Sequence, residues 1–383
     1  MEVRYFDHAA TSWPKPPVVL EAMAECLNHY AANPGRGSHS MAVQASRTLF
    51  EARRQLSALF NVANANDISF TLNTTEALNV AIKGYVRQGD HVICTAVEHN
   101  AVRRPLEYLR VNREVEVTYV ATTAKGELAL EDVRAAIRPN TTLIVCNHSS
   151  NLLGSILPVD RIAELARSLG IRLLVDAAQT AGIVPIDVAK MGIDMLAFPG
   201  HKGLLGPQGT GGLYLAPELD VEPLLHGGTG SQSDSPEQPT VRPDRYEAGT
   251  PNTVGLAGLA AAVKWIRNIT VECIRNKEWA LTQRFMERMQ QLGSGIELLG
   301  PDLGHPKTGI VSFLVKNRDS SDISFALDRQ FGIATRAGFH CTPLAHRTAG
   351  TWETGAVRAS VGYFTKEEDI DYFVEAIAQL IRS

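Results

Sequence analysis

Between residues 65 and 215 the chain alternates short apolar runs with longer amphipathic ones. The runs ISFTL, HVICTAV, VEVTYVA, TTLIVCNH, IRLLVDAA, DMLAFPG and TGGLYLA have the length and side chains of strands. Segments with helical spacing separate several of them: TTEALNVAIKGYV, NAVRRPLEYLRVN, LEDVRAAI and DRIAELARSLG. Strand and helix taking turns in this way predicts an α/β fold, a mainly parallel seven-stranded sheet with helices on both faces. In such sheets ligands bind beyond the carboxyl ends of the strands. The residues that follow each apolar run are therefore the first place to look for chemistry.

After about residue 216 the pattern breaks. The stretch LLHGGTGSQSDSPEQPTVRPDRYEAGTPN, rich in Gly, Ser, Pro and charge, reads as a long loop, either a solvated linker or part of a site. A helical run beginning near Val254 leads into a final region with a strand at TGIVSFLV and a closing helix at KEEDIDYFVEAIAQLIRS. A chain of 383 residues exceeds what one core usually organises. We expect an N-terminal arm over residues 1–15, a large domain over 16–255 and a smaller α+β domain over 256–383, which the arm joins.

Composition narrows the function. With 44% hydrophobic and 20% charged residues the chain has an ordinary globular make-up. Its formal net charge of −4, without a basic block, offers nothing to nucleic acid or to an anionic membrane. The N-terminus lacks the basic-then-apolar pattern of a secretory signal, and no apolar stretch is long enough to span a bilayer, so the cytoplasm is the expected location. Five scattered cysteines, with no CxxC pair, argue against both a disulfide framework and a structural metal site. Cys94 and Cys146 sit inside apolar runs and read as buried hydrophobes, whereas Cys26 and Cys273 carry no signal.

Four features lie at strand ends or in adjoining loops. Thr74 and Thr75 open the helix after ISFTL, where free N–H groups and a positive dipole suit a phosphate, although threonine also occurs there simply as a cap. Asp176 ends the run IRLLVDAA. A carboxylate there needs a cation or hydrogen bonds, and a protonated heterocyclic nitrogen is one such partner; a helix cap is the alternative. Lys202 follows DMLAF in the glycine-framed turn Gly200-His201-Lys202-Gly203, and a partly buried lysine forms Schiff bases with carbonyl cofactors. An aldehyde anchor, a pyridinium partner and a phosphate cradle together describe a pyridoxal-phosphate site. The fourth feature is Arg336-Ala337-Gly338-Phe339-His340-Cys341, in which a cysteine beside His340 and near Arg336 gains thiolate character.

With these motifs in place, the chain resembles the cysteine desulfurase and selenocysteine lyase family, in the class V aminotransferase group of fold-type I pyridoxal-phosphate enzymes. The likeness runs from YFDHAATSWPKP to VRASVGYFTKEEDID and includes TTEALN, EHNA, NLLGSILPV, DAAQTAG, GHKGLLGPQGTGGLY, YEAGTPN and RAGFHC. The resemblance implies that His99 stacks on the cofactor ring, Asp176 pairs with its nitrogen and Gln179 bonds its oxygen. Lys202 would bind the aldehyde. His201, Thr74 and Thr75 would hold the phosphate, and Thr250 would reach it from the neighbouring subunit of a homodimer. Asn151 and Arg358 would grip the substrate carboxylate, with His39 and Arg336 also in the substrate site. Cys341 would attack the sulfur of L-cysteine, releasing alanine and keeping a persulfide for an acceptor protein such as an iron–sulfur scaffold. The chain departs from the commonest family sequences at Phe339, at residues 342–346 and in the loop at residues 226–231. Selenocysteine lysis, another class V reaction that does not need Cys341, or a non-catalytic sulfur-transfer partner are the alternative readings.

Overall fold

The structure is a computed structural model that describes residues 3–35 and 37–382. All seven expected runs form strands of one sheet: β1 (Ile68–Thr71), β2 (His91–Thr95), β3 (Glu116–Val120), β4 (Thr141–Asn147), β5 (Arg172–Asp176), β6 (Met195–Pro199) and β7 (Gly211–Leu215). Their order across the sheet is β1-β7-β6-β5-β4-β2-β3. The pairs from β6 to β3 are parallel, and β7 runs antiparallel to both β6 and β1. Only residues 200–210 separate β6 from β7, too few for the helical crossover that a parallel pair needs. Strands β2, β6 and β7 are buried along their whole length, which is why they read as unbroken apolar runs rather than alternating ones.

A second sheet is antiparallel, with β8 (Ile296–Leu299), β9 (Ile310–Val315), β10 (Arg336–Gly338) and β11 (Ala356–Ser360) in the order β10-β11-β9-β8. The helices Val271–Gln290, Ser320–Phe331 and Glu367–Arg382 contribute buried side chains to a core with it. Phe373 meets Phe6, Phe285 and Phe313 there edge to face. The helix Thr253–Ile269 crosses the expected division at residue 255, and its Leu256, Leu259, Val263 and Ile266 belong to the larger core with the seven-stranded sheet.

The N-terminal segment links the two cores. Arg4 and Tyr5 pair in parallel with Ile333 and Ala334, and Phe6 is fully buried in the smaller core. Burying such a ring stabilises by about 2–3 kcal/mol, enough to hold the segment in register. Nine residues later the chain lies against the turn after β6. All five cysteines are free, with Cys26, Cys94 and Cys146 buried and Cys273 and Cys341 exposed. Among the described residues no single helix is long and apolar enough to cross a membrane.

Candidate active site

The parallel register sets the site. Asn147 at the end of β4 lies beside Asp176 at the end of β5, which in turn lies beside Ala197 of β6. Beyond these ends opens a cleft of about 530 Å³, lined by Asn73, Thr74, Thr75, His99, Asn147, Asn151, Asp176, Gln179, His201 and Lys202. Eight of the residues selected from the sequence therefore meet in one place.

Asp176 is 4% exposed. One of its oxygens accepts from the Ala178 amide at 2.8 Å. Burial raises its pKa, opposed by that hydrogen bond and by the nearby Lys202 charge. Lys202 is half-buried, and desolvation followed by the Arg358 charge lowers its pKa from 10.5 to about 8. A substantial fraction of its amine is then neutral near pH 8, which nucleophilic attack requires.

The turn that carries Lys202 is gripped from outside the sheet. The His201 carbonyl accepts from the Ser12 amide at 3.0 Å, from the hydroxyls of Thr11 and Ser12 at 3.1 Å each, and from Lys15 Nζ at 2.8 Å. The Ser12 hydroxyl also reaches the Lys202 carbonyl at 2.9 Å. Gln179 donates to the Ala9 carbonyl at 3.1 Å, so the same segment passes behind a second cleft residue.

His99 caps the helix Asn100–Asn112, its Nδ1 accepting from the Ala101 amide at 3.0 Å. An accepting Nδ1 puts the proton on Nε2. Burial, then Lys202 and nearby arginines, lowers its pKa to about 4, so the ring is neutral. At the opposite wall Asn73, rather than either threonine, caps the helix Thr74–Tyr85 through Glu76 N at 3.0 Å. Thr74 and Thr75 become the first helical residues, with amides directed off the helix end. The Thr74 hydroxyl is buried without a partner among the described residues, as is His201 Nδ1.

The small sheet carries Arg358 and Arg336 and leads to Cys341, none of which lines the cleft itself. Arg358 on β11 is 1% exposed, its Nη1 donating to the Asn151 carbonyl at 3.0 Å and its Nη2 to Asp7 at 2.9 Å. Asn151 Nδ2 donates to the His340 carbonyl at 2.7 Å. Arg336, opposite Arg358 on β10, places Nη2 at 3.9 Å from the Cys341 sulfur. His340 does not serve that thiol. It is buried, its Nε2 donates to the Ala356 carbonyl at 3.0 Å, and burial pushes its pKa down to about 3. Adjacency in sequence suggested a contact that the turn at His340 and Cys341 prevents.

Two selected residues lie elsewhere. His39 is exposed and caps the helix Ser40–Phe60 through Ala42 N at 3.4 Å. Thr250 lines a separate hollow with Gly35, Phe50, Arg53 and Gly230. The sequence reading also passed over Asp7, Ser12 and Glu98. Glu98 is 1% exposed, accepting from Thr95 Oγ1 at 2.6 Å and the Asn147 amide at 2.7 Å, and burial raises its pKa to about 8. Its place just before His99 was its only signal; Asp7 and Ser12 had theirs in the charged and polar positions of YFDHAATSWPKP.

The model of the class V aminotransferase family matches residues 4–373. A protein of Methanothermobacter thermautotrophicus named "Probable cysteine desulfurase" is 36% identical over 98% of this chain and 94% of its own. The cysteine desulfurase of Haloferax volcanii is 32% identical over 97% of this chain and 88% of its own. The apo structure of a cysteine desulfurase from Thermococcus onnurineus NA1 superposes with a TM-score of 0.93 at 34% identity, covering 99% of this chain and 95% of that one. On a match that spans almost its whole length, the chain belongs to the class V aminotransferase family, within its cysteine desulfurase group.

Proposed function

We propose that the protein is a pyridoxal-phosphate-dependent cysteine desulfurase, converting L-cysteine to L-alanine and taking the sulfur onto Cys341. One observation carries the reading: Lys202 with a lowered pKa and the buried Asp176 share a cleft to which the Cys341 loop is tied. The ties are Asn151 Nδ2 to the His340 carbonyl and Asn100 N to the Cys341 carbonyl at 2.7 Å. The cleft fits the cofactor because the Thr74 hydroxyl and His201 Nδ1 are buried without protein partners, as a phosphate cradle requires. When bound, pyridoxal phosphate supplies an aldehyde for a lysine amine and a protonated ring that draws electrons from the substrate Cα.

Asp176 would keep the ring nitrogen protonated, and neutral His99 would cover one ring face. Lys202 would hold the aldehyde carbon, yield it to the substrate amine and then move the Cα proton. Asn151 and Arg358 would hold the substrate carboxylate, the guanidinium as a fork. Cys341 Sγ, having lost its proton, would form a bond to the substrate sulfur while the Cβ–S bond breaks. The electron pair stays with the carbon skeleton, which takes up a proton and leaves as alanine. Cys341 is exposed, so the persulfide can reach a second protein, which we assign as the acceptor, an iron–sulfur scaffold being one such.

We also place Thr250 in the partner's site of a homodimer. Leu20, Leu27, Met41, Val43 and Phe50 expose an apolar surface on the helices Pro17–His29 and Ser40–Phe60, and Phe50 reaches the hollow that holds Thr250. The division into an N-terminal arm and two domains is proposed on the same basis, each core with its own sheet.

The deciding experiment treats the purified, cofactor-loaded protein with L-cysteine and no reductant. Alanine should form, and the peptide holding Cys341 should gain the mass of one sulfur atom. Alanine without that gain would leave a class V enzyme of another mechanism, and no alanine would overturn the reading.

A further inference from the structure

We infer that Asp7 is a positioning residue for substrate recognition: it sets the plane of Arg358 so that the guanidinium keeps one edge for the substrate carboxylate. The inference rests on the proposed role of Arg358 in binding that carboxylate.

Arg358 is the largest fully buried side chain in the protein. Its guanidinium is held at two nitrogens, Nη1 by the Asn151 carbonyl at 3.0 Å and Nη2 by Asp7 Oδ1 at 2.9 Å. Two anchors on a rigid planar group fix its orientation. The third nitrogen, Nε, is buried and has no partner among the described residues. An unpaired buried donor on a charged group is costly, and a planar fork with Nε and one Nη hydrogen free matches a carboxylate side-on. Asp7 takes Nη2 without reaching Nε, which leaves Nε, and with it the second Nη2 hydrogen, for a carboxylate.

Asp7 is itself fixed. Its carbonyl accepts from Ala10 N at 3.0 Å, Thr11 N at 3.3 Å and Tyr5 OH at 3.2 Å. It pairs with Ser360 as an isolated bridge, and the amides of Ala9 and Ser360 close the same junction, onto Ser360 Oγ at 2.9 Å and the Phe6 carbonyl at 2.7 Å. Among the described ion pairs Asp7 is the carboxylate that meets Arg358. The other charges that act on this arginine include Arg336 on the neighbouring strand, which repels it. Without Asp7 the guanidinium loses one anchor and its counter-charge, and is free to swing away from Arg336.

L-Alanine and ethylamine differ only in the carboxylate, and both amines perturb the absorbance of a cofactor-loaded enzyme. Titrations of wild type and Asp7→Asn should show the affinity for L-alanine falling by about ten- to a hundredfold, as expected for loss of a charge-assisted contact. Ethylamine affinity should stay unchanged, and KM for L-cysteine should rise more than kcat falls. Equal losses for both amines would make the role merely structural, and no loss for either would remove it; both results overturn the inference. If Asp7→Asn does not fold, Asp7→Glu keeps the charge, displaces it by one methylene and gives the same comparison. A wild-type enzyme that makes no alanine from L-cysteine would instead sink the proposed function.

Discussion

The cleft and the cysteine loop are built on opposite plans, although hydrogen bonds join them. In the cleft, strand register places Asn147 beside Asp176 and Asp176 beside Ala197, and the remaining polar groups sit at helix starts or in turns that follow the strands. His99 is locked by its own helix, Asp176 by the Ala178 amide, and Lys202 by a turn whose carbonyl takes four donors. The cysteine loop has none of this. His340 and Cys341 both have positive φ, 48° and 58°, a conformation that costs a non-glycine residue about 1–3 kcal/mol. Cys341 is exposed, and its loop carbonyls accept from the Asn100 amide and the Asn151 side chain. Moving a proton at carbon calls for groups that are already in place. Handing sulfur to a second protein calls for a thiol at the surface.

Removing the anchor of the rigid half should give the largest effect. Lys202→Ala should reduce turnover by roughly 10⁴-fold, the upper end of what a positioned acid–base contributes, while the other cleft groups still retain cofactor. Borohydride should fix the cofactor to the Lys202 peptide in wild type and to no peptide in the variant. Removing the exposed thiol should be more selective. Cys341→Ala should lower sulfide and alanine release from L-cysteine by about 10²-fold or more, with the cofactor absorbance unchanged. Selenocysteine should retain more turnover in that variant, because selenium leaves more readily. If both substrates keep the wild-type rate, the contrast between the halves has no catalytic meaning.

A third test asks whether the cleft is complete in one subunit. Lys202→Ala and Thr250→Ala chains, mixed and exchanged, should regain part of the activity, since one site of each hybrid is then intact. Unchanged inactivity after proven exchange would place Thr250 outside the partner's site. The smallest effects concern tuning. Cofactor attachment to the apo-protein should slow as pH falls through about 8, the lowered pKa of Lys202, and not through 10.5. The sign follows from the neutral amine being the nucleophile, whose fraction drops roughly tenfold per pH unit once below the pKa. Ser12→Ala should lower kcat by only about two- to tenfold, because the His201 carbonyl keeps three other donors.

The rigid half was also the more legible one. Seven apolar runs, five of them fully or largely buried, announced their strands, and the rule that sites lie past strand ends picked out Asp176 and Lys202. The Cys341 neighbourhood was read less well because sequence adjacency says little about side-chain direction in a turn, so His340 was credited with a contact it does not make. Strands β8, β10 and β11 were not anticipated. They have four, three and five residues, and β11 carries Arg358 in its middle, which hides the apolar pattern. Asp7 and Ser12 were passed over for a different reason: their partners are 351 and 190 residues away.

That separation governs when the enzyme can exist at all. During synthesis Arg4, Tyr5, Asp7 and Ala9 emerge long before their partners, Ile333 to Ala334 and Arg358 to Ser360, have been made. The seven-stranded sheet can form from residues 68–215 while the N-terminal segment still waits. Contacts of such high sequence separation close late and slowly. The anchoring of Arg358 by Asp7 is therefore among the last events of maturation, so a ribosome-bound chain carries a finished sheet but an unfinished catalyst.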